Sequence, residues 1–113
     1  MKLAEIVNDL KLKVYTENKD FDVEVTQGYA SDLLSDVMAN AHIEGLWITL
    51  QTHQNIVAVA VLKSISAIIL INNREPDDET IKKANDEGIN ILSSELPMFE
   101  LVGKLYKMGI SGS

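Results

Sequence analysis

Three polar clusters hold most of the residues able to do chemistry: Gln27-Gly-Tyr-Ala-Ser-Asp32, Gln51-Thr-His-Gln-Asn55 and Asn72-Asn-Arg-Glu75. His53 carries an imidazole, a side chain suited to proton or phosphate chemistry. Arg74, the single arginine, is the one side chain able to grip a phosphate with a planar fork. Brought into one cleft, Gly28, Ser31, Asp32, Thr52, His53, Gln54, Asn72 and Arg74 could hold an anion or a nucleotide. The same residue types also win turns and helix caps for purely local reasons, which is the commoner origin of each cluster taken alone. Asp32 and Asp36 share a helical face with Asn40 and could offer carboxylates to Mg²⁺. A solvated face opposite a leucine stripe explains them better. Neither GxGxxG nor GxxxxGK[ST] surrounds Gly28, and no Ser/His/Asp order suggests a nucleophile elbow. No catalytic residue, metal or cofactor is assigned.

The elements that must position these clusters follow from periodicity. Apolar residues at 3, 6, 7 and 10 give a short helix. Leu12–Tyr15 and Asp22–Thr26 alternate as strands about a polar turn at 17–20. Leu33, Leu34, Val37, Met38 and Ala41 form a helical stripe with Ser31 as its cap, and His42 falls at the helix end. Leu46–Leu50, Ala67–Ile71 and Ile89–Leu92 are short strands, the second apolar enough for burial on both faces. Pro76–Gly88 places acids early and glycine last, as a helix prefers. Pro97–Met108 is a closing helix with Phe99, Val102, Leu105 and Tyr106 on one stripe and Gly109 as its stop.

The stretch Gln51–Leu62 admits two readings. Valine-rich alternation in Val57-Ala-Val-Ala-Val61 favours a strand. The strands on either side favour a helix, which would complete a parallel βαβ crossover capped by Thr52. The crossover is the preferred reading. It puts the polar clusters at strand ends, where ligands collect in parallel α/β sheets.

Bulk properties narrow the field. At 113 residues the chain fits one domain, 1–110, with 111–113 as a flexible tail. Without cysteine there is no disulfide, thiolate metal site or thiol catalysis. A net charge of −7 argues against nucleic acid or anionic membrane as partner. The longest apolar run, Ile56–Leu62, is far short of the roughly 20 residues that cross a bilayer. Charge as early as Lys2 and Glu5 does not fit a secretory leader, so a soluble cytoplasmic protein is expected.

Gly28–Met38, Leu46–Thr49, His53–Ala60, Ile89–Leu92 and Phe99–Tyr106 together resemble the small stand-alone DRTGG-domain proteins, over about residues 3 to 110. Related domains accompany phosphotransacetylases and sit between the CBS domains of some pyrophosphatases. The resemblance implies a three-layer α/β/α sandwich on a mostly parallel sheet of about five strands, and a homodimer. It further implies a non-catalytic regulatory or adaptor domain, with a redox enzyme such as a hydrogenase as a partner. The alternative is a sensor binding a nucleotide or small anion at the strand ends. The chain departs from the family motif, carrying Gln51-Thr-His-Gln54 and Asn72-Asn73 where related domains have Gly-Asp-Arg-like and Thr-Gly-Gly-like stretches.

Overall fold

The computed structural model describes residues 1–17 and 20–113. Five helices, α1 (Leu3–Leu10), α2 (Leu34–Asn40), α3 (Asn55–Leu62), α4 (Asp78–Glu87) and α5 (Met98–Lys107), accompany five strands. The strands are β1 (Lys13–Val14), β2 (Gln27–Ala30), β3 (Gly45–Thr49), β4 (Ala67–Leu70) and β5 (Asn90–Ser93). They form one sheet in the order β1-β5-β4-β3-β2, parallel except for β1, which runs antiparallel to β5.

Gln51–Leu62 is therefore a strand exit feeding a crossover helix. β2, β3, β4 and β5 lie side by side in chain order, joined by α2, α3 and α4. Those three helices cover one face, where Val37, Ile56, Val57, Ala60 and Ala84 pack on Trp47, Ile68, Leu70 and Ile91. On the other face α1 and α5 bring Leu3, Ile6, Leu101 and Leu105 against Leu46, Ile48, Ile69 and Leu92. Successive residues of one strand thus feed opposite cores, the period-2 geometry of a sheet buried on both sides. The result is the expected α/β/α sandwich.

Several local expectations are corrected. Asp22–Thr26 is not a sheet strand. Among the described residues its one bridge joins Glu24 to Lys2, with Val25 donating to the Met1 carbonyl and Val23 accepting from Leu3. Val25 is buried, so the alternation was real, but the segment buries that side chain by running beside the N-terminus. The place beside β3 goes to Gln27–Ala30, with Gly28 opposite Leu46. Leu12–Tyr15 pairs with β5 over two residues, and the turn expected at 17–20 lies partly outside the described residues. The stripe chosen on α5 holds only in part: Leu105 is buried as expected, with Leu101 beside it, whereas Phe99 is 87% and Tyr106 66% exposed.

Neither Ser31 nor Thr52 caps a helix. α2 takes Leu33 as its N-cap and α3 takes Gln54, with no side-chain cap bond at either. Ser31 Oγ instead accepts from Leu33 N at 3.2 Å, and its carbonyl accepts from Trp47 Nε1 at 2.8 Å. His42 lies two residues past the end of α2, and its carbonyl accepts the Gly45 amide that opens β3.

Two glycines test this packing in opposite directions. A Cβ on Gly45 would sit 2.8 Å from the His42 carbonyl oxygen, a backbone atom that cannot swing aside. One on the α5 residue Gly103 meets nothing within 4 Å. Gly45→Ala is expected to cost about 1–3 kcal/mol through overpacking, and Gly103→Ala to add up to about 1 kcal/mol through helix propensity. Urea unfolding of both variants checks the signs; a neutral Gly45→Ala would contradict the described turn.

Candidate functional site

The carboxyl ends of the four parallel strands bring two of the three polar clusters into direct contact. Asp32, just past β2, accepts from Thr49 Oγ1 and from Leu50 N through Oδ1, both at 2.8 Å. Gln51 Nε2 donates back to the Asp32 carbonyl at 3.0 Å, and Gln51 N donates to Thr49 Oγ1 at 3.2 Å. A carboxylate accepting a hydroxyl and an amide at this distance makes strong, charge-assisted bonds. Asp32 therefore staples the exit of β2 to the exit of β3. Thr49 is the partner that periodicity did not mark. A threonine ending an otherwise apolar strand, with no water to face, was the clue available.

The second cluster continues into the start of α4. The Thr52 carbonyl accepts both Asp77 N at 3.1 Å and Thr80 Oγ1 at 2.7 Å. His53 is exposed and bonds locally at its own helix start, its Nδ1 3.1 Å from Asn55 Oδ1 and 3.4 Å from Asn55 N. Ile56 N and Val57 N donate to the carbonyls of His53 and Gln54. The first amides of α3 thus already have partners, so an anion approaching there would meet side chains and not a free N–H cradle.

The third cluster is a left-handed turn. Asn72 and Asn73 hold φ of 56° and 57°, a region asparagine tolerates better than other residues that carry a Cβ. Their amides donate to the carbonyls of Leu96 and Ser94, tying the end of β4 to the loop after β5. Ser93 Oγ holds the Arg74 carbonyl at 2.9 Å, while the Arg74 side chain stands exposed. Ser31, Asp32, Thr52, His53, Gln54, Asn72 and Arg74 thus all sit at the carboxyl ends. Gly28 stands apart, within β2, beside Ile48 and Ile110 in an apolar cavity of about 180 Å³ closed by Val102 and Tyr106.

Asp36, the other carboxylate weighed for Mg²⁺, is engaged locally. Tyr29 Oη donates to its Oδ1 at 2.8 Å and Asn40 Nδ2 at 2.9 Å. Among the described residues no group of three or more His, Asp or Glu is arranged to hold a metal ion. Hydrogen bonding from Ser31, then from Tyr29 and Asn40, holds the Asp36 carboxyl below its ordinary value of 3.8. A carboxyl depressed in the folded state lends stability that is present above the unfolded value and lost as pH falls through the folded one. Acid titration of stability should therefore show a loss below pH 3.8 that is smaller in Asp36→Asn. Identical acid limbs for the two proteins would show that these bonds do not favour the ionised form.

No family model matches the sequence, and none of the curated proteins matches it either. Among solved structures, the fold is similar to the crystal structure of the CBS and DRTGG domains of the regulatory region of Clostridium perfringens pyrophosphatase, complexed with the activator diadenosine tetraphosphate. The TM-score is 0.73 at 15% sequence identity, over 89% of this chain and 44% of that one. The chain thus spans less than half the length of the structure it resembles. Identity this low carries the fold and nothing finer. With that likeness, the mostly parallel five-stranded sandwich is a DRTGG-like α/β fold.

Proposed function

We propose that this chain is a non-catalytic regulatory or adaptor domain that works as a homodimer in the cytoplasm, with a redox enzyme as the kind of partner it serves. The observation that carries the dimer is the outer face of α3. Packed between α2 and α4, this helix buries Ile56, Val57, Val59 and Ala60 against the sheet. Its opposite face is no more polar, with Ala58, Val61 and Leu62 exposed and Leu62 71% accessible. Leu33 and Met38, the N-cap and a residue of the neighbouring α2, are exposed as well. An outer layer this apolar is unusual on a monomer, and a two-fold axis would let it cover itself. The regulatory reading rests on the DRTGG-like fold, which the similar structure carries in a regulatory region. The redox partner rests on the family resemblance alone.

Light scattering on a sizing column tests the dimer. The wild-type chain is expected to elute as a dimer at micromolar concentration, and Leu62→Glu as a folded monomer with unchanged circular dichroism. A wild-type monomer would remove the proposal's main support.

A second reading, a nucleotide or anion sensor at the strand ends, is favoured by the nucleotide activator held in the similar structure. Since the α3 amides and those of Asn72 and Asn73 are already bonded, recognition would fall to Arg74, His53, Gln54 and Asn72, with Ser31, Asp32 and Thr52 shaping the rim. In a thermal-shift screen, a true ligand at 100 times its dissociation constant adds about 2.7 kcal/mol. Arg74→Ala should abolish that gain. Absence of any shift across adenine and guanine nucleotides would sink the sensor reading.

A further inference from the structure

The outer face of α5 is organised around a glycine that the chain itself does not need. At about 100° per residue, Gly103 stands opposite the midpoint of Leu101 and Leu105, the two residues α5 buries against the sheet. It is therefore the outermost point of the helix. Its φ lies outside the left-handed region, and a Cβ there would meet nothing within 4 Å. Neither backbone conformation nor internal packing calls for glycine, the poorest helix former after proline. What remains is the other use of a missing Cβ, which is to let a second molecule's backbone come close.

The residues around Gly103 identify that molecule. On one flank of the helix Phe99 and Tyr106 are exposed and Val102 is half-buried. On the other flank Glu100, Lys104 and Lys107 are exposed, and among the described residues none of the three forms an ion pair. The order is self-complementary. An aromatic residue and an acid, Phe99 and Glu100, precede Gly103; an aromatic residue and a base, Tyr106 and Lys107, follow it at matching distances. A two-fold axis across the helix at Gly103 keeps each flank on its own side and reverses its direction. Phe99 of one copy then meets Tyr106 of the other, and Glu100 of one meets Lys107 of the other, each twice. With two lysines to one glutamate, the exposed charges of α5 are net cationic on a chain of net charge −7. Two copies thus meet here with less repulsion than their total charge implies.

We propose that α5 is a second two-fold contact between copies of this chain, packed antiparallel across Gly103. Bare glycine at the crossing brings the helix axes to the close end of the usual range, about 8 Å. The aromatic pairs exclude water on one flank, and the ion pairs fix the antiparallel direction on the other. Val102 and Tyr106 also wall the apolar cavity of about 180 Å³ beside Gly28 and Ile110. An apolar cavity of about 150 Å³ holds one benzene ring, so this one has room for the Phe99 ring of the other copy. α3 packs on the opposite face of the sheet, so this contact is independent of the dimer proposed above. One helix face makes a small interface, which places the association in the weak class.

Sedimentation equilibrium of the full chain from about 10 μM to about 1 mM, the range in which so small an interface assembles, tests this. The mean mass is expected to rise at least about twofold across that range, the signature of one added two-fold contact. Leu62→Glu should lower the starting mass without removing the rise, so failure of the α3 dimer and failure of this contact are separately visible. Gly103→Gln should abolish the rise. Because glutamine is the better helix former at 103, that loss cannot be unfolding. Glu100→Lys should weaken association at least about fivefold, although it reduces the net charge, and adding Lys107→Glu should restore it. Glu79→Lys, the same change of charge on α4, should not weaken it. A mass that stays level, a rise that survives Gly103→Gln, or a charge reversal that restores nothing would overturn the proposal.

Discussion

Everything in this fold depends on β4 having no wet side. Ala67-Ile-Ile-Leu70 is buried on both faces and paired along both edges, so each face of the sheet needs its own cover. With α2, α3 and α4 spent on crossovers along one face, α1 and α5 must close the other. A parallel sheet dressed this way exposes its two rims, and any ligand chemistry is confined to them.

The rims differ in how completely their polar groups are used. At the carboxyl end, bonding is nearly closed: Asp32 serves Thr49 and Leu50, the Asn72 and Asn73 amides bind Leu96 and Ser94, and the first amides of α3 bind His53 and Gln54. Such a network stiffens the strand exits, while the Arg74 side chain stands exposed beside it. At the amino end two buried acceptors, Gln27 Oε1 of β2 and Asn90 Oδ1 of β5, have no hydrogen-bond partner among the described residues. Unfinished bonding at one rim contrasts with finished bonding at the other.

A third kind of surface lies on the helices. α3 is apolar around nearly its whole circumference, so burying half of it against the sheet leaves Val61 and Leu62 outside. α5 is divided differently, with Leu101 and Leu105 inward and Phe99 and Tyr106 outward on the opposite side of the sandwich. Apolar helix side chains are thus exposed on both sides of the sandwich.

The crossover elements were legible in the sequence because each carries a strong local pattern. Ala67–Leu70 could be nothing but a doubly buried strand, and the early acids and late glycine of 77–88 delimit α4, with Gly88 at φ 72° as its C-cap. The polar clusters were placed at strand ends on the same grounds, and most of them lie there. What the sequence did not contain was the choice between competing partners. Asp22–Thr26 has the better strand pattern, yet Gln27–Ala30 takes the edge beside β3 while Val25 finds cover against the N-terminal segment. On α5 large apolar side chains such as Phe99 and Tyr106 lie outside the inward face, and the position of the sheet selects Leu101 and Leu105 for burial. Which polar atoms are satisfied is likewise a matter of long-range geometry. Asp32 reaches a threonine 17 residues away, and Asn90 Nδ2 reaches the Asp20 carbonyl 70 residues away. Periodicity records that a side chain must be buried; only the assembled layers decide against what.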